Sequence, residues 1–138
     1  MTLEELYYFH AFLNYKLFKG KLEPVIIRIF DDDFEVSAQI ETELDPFIIF
    51  MGKSLLESEP VFTITVLLHE MVHQYNRQRG AEDVEAYTGE HNAVFKRVAR
   101  SHGLQMDGYK LTDETRALIE KQLELYKLMI DSYKSPIL

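Results

Sequence analysis

The segment Val66-Leu67-Leu68-His69-Glu70-Met71-Val72-His73-Gln74-Tyr75 sets two histidines and a glutamate among large apolar residues. Burying such groups without partners costs roughly 2–7 kcal/mol each. A chain that folds around this segment must therefore give them something to bind. As ordinary residues of an exposed helix they would need nothing, but the apolar neighbours argue against that reading. The spacing indicates the ligand. Positions four apart on a helix differ by about 40° around the axis, so His69 and His73 project from one face and can reach one ion. Glu70 lies beside that line, where its carboxylate meets a water rather than the metal. The pattern is H-E-x-x-H. Zinc lowers the pKa of a bound water to about 7, which casts Glu70 as general base.

Two ligands leave such a site incomplete, since catalytic zinc takes three protein ligands and keeps one position open. The chain contains no cysteine, so the third ligand must be His, Asp or Glu. The metzincin extension is ruled out, because Asn76 and Arg79 stand where that class needs Gly and His. The candidates beyond Gly80 are Glu82, Glu85, Glu90, His91 and His102. His91 shares a helical stripe with Val94, Phe95 and Val98 and so faces inward. His102 lies about 16 Å further along the same helix and cannot reach the same ion. It reads as a helix-end residue, and His10 as a surface or helix-end one. Glu90 fits a charge favourable to a helix start, and Glu85 a receiver for a ligand histidine's second ring N–H.

At 138 residues the chain reads as a single domain, 1–138. Thr2 and Glu5 form a capping box opening a helix to about Lys19, with Leu6, Phe9, Leu13 and Leu17 at helical spacing. Three strands follow: Val25–Phe30, an alternating stretch from Val36 to Thr42, and Phe47–Met51. Tight turns between them favour an antiparallel meander. The triplet Asp31-Asp32-Asp33 lacks the spacing of a calcium loop and reads as a polar turn. Helices are expected over Ser58–Gln78, Gly89–Ser101 and Asp113–Ser132, the last N-capped by Thr112, with Pro136 beyond its end. The expected fold is α+β: a small three-stranded antiparallel sheet packed with the N-terminal helix, the H-E-x-x-H helix and further C-terminal helices, residues 110–138 being a helical extension. The last helix is apolar on two sides, Leu118, Leu125 and Met129 on one and Ile119, Leu123, Tyr126 and Ile130 on the other. So wide a face suits the core or a partner helix.

The net charge is −8, from 23 acidic and 15 basic residues. Nucleic-acid binding needs a basic surplus on some face. Arg77, Arg79, Lys96, Arg97 and Arg100 could form a local patch beside the site, and a solvated mixed-charge surface is the simpler reading. No apolar run is long enough for a membrane span, and the start Met1-Thr2-Leu3-Glu4-Glu5 lacks the pattern of a signal peptide. A cytoplasmic location is expected.

His69-Glu70-Met71-Val72-His73, followed by Gly89-Glu90-His91-Asn92-Ala93-Val94-Phe95, resembles the SprT-like zinc metallopeptidase domain, the family of the Spartan proteases. The shared pattern is an H-E-M-x-H helix, a loop, then a third His followed four residues later by Phe. Leu13–Leu22 is similar to that family's N-terminal helix end, and Ile48–Leu56 to its third strand and the segment after it. The likeness covers roughly residues 3–105. It implies a zincin-like fold, zinc held by His69, His73 and His91, catalysis by Glu70, and hydrolysis of peptide bonds. In some members it implies action on proteins crosslinked to DNA. This chain departs from those members in having no cysteine-based zinc ribbon and no basic tail.

The expected activity is that of a zinc endopeptidase, its substrate a protein or peptide docked as an added strand at a sheet edge. Tyr75, Tyr87 and Tyr109 are the candidate oxyanion donors. A zinc-binding interaction module without turnover is the alternative, with the C-terminal helix as its partner surface. Glu70 counts against it, because a structural zinc needs no general base. A zinc hydrolase of a non-peptide substrate is a third, weaker reading.

Overall fold

The computed structural model describes residues 1–31, 38–41 and 47–134. In chain order its elements are α1 (Leu3–Leu17), β1 (Val25–Phe30), β2 (Ala38–Glu41), β3 (Phe47–Gly52), α2 (Lys53–Leu56), α3 (Pro60–Gln78), α4 (Ala93–Ser101), β4 (Leu104–Gln105), β5 (Lys110–Leu111) and α5 (Asp113–Lys134). The fold is α+β, with helices at both ends and the H-E-x-x-H motif on α3.

α1 starts as its sequence requires. Thr2 Oγ1 accepts from Glu5 N at 3.1 Å, and Glu5 returns a carboxylate oxygen to Thr2 N at 2.8 Å. Its buried stripe, Leu6, Phe9 and Leu13, packs on α3. α3 opens with Pro60 in its first turn, where the missing N–H costs nothing. This helix runs through the middle of the molecule and touches α1, α2, α4, α5, β2 and β3. That explains why it is buried nearly all round, through Ile64, Leu67, Leu68, Met71 and Val72. Each such side chain contributes about 1.5–3 kcal/mol by leaving water.

The sheet departs from the expected antiparallel meander in two respects. Its order is β1-β3-β2, with β1 parallel to β3 and β2 antiparallel to it, so the sheet is mixed. In addition, β4 and β5 form a separate two-stranded antiparallel sheet. The physical reason lies in β3. Phe47-Ile48-Ile49-Phe50-Met51 is a continuous apolar run, the pattern of a strand in a parallel pair covered on both faces, whereas turn signals speak only for the pairing of sequence neighbours. Of the strand expected at Val36–Thr42, residues 38–41 are described. Asp32, Asp33 and Pro136 lie outside the described residues, as does the segment 42–46 that precedes β3.

α4 begins four residues later than the sequence suggested, at Ala93 rather than Gly89, with Asn92 as N-cap. The Asn92 Oδ1 accepts from Val94 N at 2.9 Å and Phe95 N at 3.2 Å. Asn satisfies these orphan donors better than Gly89 can, so the helix starts there. α5 is capped by Thr112, as expected, and continues to Lys134. Among the described residues, no helix is long and apolar enough to cross a membrane.

Candidate metal centre

His69 and His73 are both buried on α3, one turn apart, with ring centroids 5.2 Å from each other. The 81–92 loop brings His91 to them. It folds back on itself: Glu85 N donates to Glu90 O at 2.7 Å, Gly89 N to Glu85 O at 2.9 Å, and Asn92 N to Asp83 O at 3.1 Å. Val84 and His91 pair in an antiparallel bridge. His91 therefore projects from extended backbone just before α4, not from the helical stripe inferred from sequence. Its ring stacks on Phe95 at 3.9 Å and 18°. One potential ligand atom from each of His69, His73 and His91 lies within 4.8 Å of the others.

The two α3 imidazoles are held in one tautomer. His69 Nδ1–H donates to Gly108 O at 2.9 Å, and His73 Nδ1–H donates to Asp83 Oδ2 at 2.7 Å. With Nδ1 engaged, Nε2 is the nitrogen each ring has left to offer a metal. Burial, opposed in part by the Gly108 carbonyl, pushes the His69 pKa down to about 4. His91 is also lowered, chiefly by burial. His69 and His91 are thus neutral donors at neutral pH.

Asp83 is fully buried, and it is the site residue that sequence reasoning missed. Burial alone would raise its pKa. Hydrogen bonds from His73 and Asn76, with the charges of His73 and Arg77, outweigh that and hold it below the usual value. The Asn76 Nδ2 donates at 3.1 Å and the Arg77 Nε at 3.4 Å. Glu85, the receiver expected for a ligand histidine, is exposed, as are Glu82 and Glu90.

Gly108 lies in the β4–β5 turn at φ +86, where an added Cβ would stand 2.7 Å from the Phe95 ring and 2.9 Å from His69 Nδ1. Only glycine lets this backbone carbonyl come so close to the His69 ring. Next to it, Tyr109 stacks on His69 at 4.7 Å and 27°. Burial, then the nearby Glu70 charge, holds its phenol above the ordinary pKa, so it remains a proton donor at neutral pH. The other two candidate tyrosines lie elsewhere: Tyr87 is fully exposed, and Tyr75 packs among Phe18, His102 and Arg79.

Glu70 is buried, and its Oε2 has no hydrogen-bond partner among the described residues. Burial pushes its pKa up to about 7. A buried carboxylate oxygen left without a partner, beside three clustered imidazoles, fits a site built for a cation and a water. His102 stacks on Phe18 at 4.4 Å, away from the cluster, as a helix-end residue. His10, read as a surface or helix-end residue, is instead buried and bonded to Gln74 at 3.0 Å.

No protein-family model matches the sequence, and no curated protein is similar to it. Among solved structures, the chain is similar to the crystal structure of the metallopeptidase zymogen abylysin of Pyrococcus abyssi. The TM-score is 0.51 over 86% of this chain and 96% of that one. The fold is metallopeptidase-like. At 18% identity the likeness is one of fold. The histidine cluster of this chain is able to coordinate a metal ion by its own geometry.

Proposed function

We propose that this chain is a zinc metallopeptidase that hydrolyses peptide bonds of a protein or peptide substrate. The observation that carries the proposal is the convergence of His69, His73 and His91 beside the buried, unpartnered carboxylate of Glu70. An all-imidazole donor set suits zinc. His69, His73 and His91 would hold it, and the ion when bound supplies Lewis acidity toward a water and toward the scissile carbonyl.

The chain's own groups do the rest. Glu70 accepts a proton from water as the new C–O bond forms, then returns it to the leaving amine as the C–N bond breaks. Its apolar surroundings raise its proton affinity, which favours accepting that proton. Asp83 and the Gly108 carbonyl keep His73 and His69 oriented. Tyr109 is the candidate donor to the carbonyl oxygen, being the tyrosine stacked against the site. Assignment to the SprT-like type rests on the His-Glu-Met-x-His motif and on Phe95 four residues after His91. The stacking of those two rings gives that spacing a physical purpose. The chain's net charge of −8 favours a protein substrate over nucleic acid.

The test is Glu70→Gln assayed on an unfolded protein, with zinc content measured in parallel. An amide cannot accept the proton, so zinc should stay while hydrolysis falls by about 10²–10⁴ or more. Equal cleavage by both proteins would refute Glu70 as base.

A further inference from the structure

We infer that Phe95 is a positioning residue for the third ligand: its ring holds the His91 imidazole in place, as hydrogen bonds do for His69 and His73. The inference rests on the reading of the cluster as a zinc site. The three imidazole centroids form a nearly equilateral triangle, with sides of 5.2, 4.9 and 5.0 Å. The Phe95 centroid is close to all three, 4.9 Å from His69, 4.5 Å from His73 and 3.9 Å from His91. Phe95 is fully buried, and the turn at Gly108 packs so tightly on it that an added Cβ would stand 2.7 Å from Cε1. In so close-packed a place the ring is itself fixed.

The three ligand rings are not held alike. A metal-binding imidazole ordinarily donates its second N–H to a carboxylate or a carbonyl, which fixes the ring. His69 has the Gly108 carbonyl at 2.9 Å, and His73 has Asp83 at 2.7 Å. The His91 ring has no hydrogen-bond partner among the described residues, and it is half-buried where the other two are buried. The bridge to Val84 fixes the His91 backbone but not the rotation of its side chain. That rotation is restrained by the face of Phe95, which lies only 18° from parallel to the imidazole. The other rings beside His91 lie 4.9 to 5.8 Å away and are tilted by 36° to 54°. Asn92 holds the pair in register, since its side chain accepts from Phe95 N at 3.2 Å and it follows His91 directly.

A residue that served only to fill the core would need volume, and a large aliphatic side chain would do. Stacking on an imidazole needs a flat face, which leucine lacks. A ring already held in place also has little rotational freedom to lose when it binds an ion. Phe95 therefore favours metal binding without touching the metal, and it acts through His91 alone, because His69 and His73 keep their own hydrogen bonds.

The test is a double-mutant cycle on zinc affinity, read by chelator competition on the full chain: wild type, Phe95→Leu, His91→Ala and the two combined. Phe95→Leu should raise Kd by about tenfold or more. In the His91→Ala background the same substitution should raise it by no more than about twofold, because the ring it positions is gone. A second measurement needs no variant. Side-chain NMR couplings of the zinc-free wild type should show a single χ1 rotamer for His91, and this decides the matter if circular dichroism finds Phe95→Leu unfolded. Three results overturn the inference while leaving the zinc site standing. They are a Phe95→Leu Kd within about twofold of wild type, equal losses in both backgrounds, and a His91 ring that averages among rotamers. A wild type with no affinity for zinc overturns it together with the proposed function.

Discussion

Asp83 Oδ2 and His73 Nδ1 lie 2.7 Å apart, both buried, ten residues from each other in sequence. The carboxylate does more than neutralise a neighbour. By accepting the Nδ1 proton it fixes which nitrogen His73 presents to a metal and raises the basicity of that nitrogen. Asp83→Asn keeps the shape but loses the charge, and should weaken zinc binding about 10–100-fold. A chelator competition titration at fixed pH reads this directly. An unchanged affinity would show that His73 needs no such partner.

The third ligand is tested by contrast within one dipeptide. His91 belongs to the close cluster of imidazoles, while Glu90 is exposed and its backbone carbonyl is engaged with Glu85 N. Zinc accepts carboxylates, so the comparison is a fair one. His91→Ala should cost most of the zinc affinity, and Glu90→Ala should leave it within about twofold. Elemental analysis after dialysis against limiting chelator separates the two. Comparable losses from both would shift the assignment toward the loop as a whole.

How legible this site was from sequence depended on how local each signal is. His69, Glu70 and His73 share one helix, so periodicity alone put them on one face. His91 was reached by a helical-stripe argument whose geometry was wrong. Its side chain points inward because the 81–92 loop folds back through the Val84 bridge, a long-range arrangement no periodicity records. Asp83 sits between Glu82 and Glu85, three acids of similar promise in sequence, and only the folded loop buries one of them. The parallel pairing of β1 with β3 was missed for a related reason. Turn signals report sequence neighbours, whereas the continuous apolar run of β3 is the mark of a strand in a parallel pair.

His10 provides a pH-dependent test of the fold that does not involve the metal cluster. Burial lowers its pKa, with the Gln74 hydrogen bond opposing in part. The unfolded chain therefore binds more protons here than the folded one between the folded pKa and about 6.5. The His10 contribution to stability is complete above about pH 6.5 and is lost as pH falls below it. His10→Asn removes that dependence. The difference in urea midpoint between wild type and variant should shrink between about pH 7.5 and pH 5.5. A difference that stays constant or grows over that range would overturn the reading of His10 as a buried neutral imidazole.

Gly108 offers the sharpest test of how the β4–β5 turn supports the site. Two effects would follow from adding a methyl group there. The backbone is left-handed, at φ +86, which costs a non-glycine residue about 1–2 kcal/mol. The new Cβ would also stand 2.7 Å from Phe95 Cε1 and 2.9 Å from His69 Nδ1, closer than such atoms can approach. Gly89 separates the two effects, since it has a similar φ of +71 but nothing within 4 Å of an added Cβ. Gly89→Ala should therefore show backbone strain alone. Gly108→Ala should add to it by forcing the turn away from His69, breaking the bond from Nδ1 to the Gly108 carbonyl and freeing the imidazole to rotate. Thermal unfolding of both variants, paired with zinc affinity, gives the answer. Gly89→Ala should lower Tm modestly and keep its zinc, whereas Gly108→Ala should lose more stability and at least about tenfold in zinc affinity. Equal zinc affinities in the two variants would mean that the turn merely covers His69 and does not orient it.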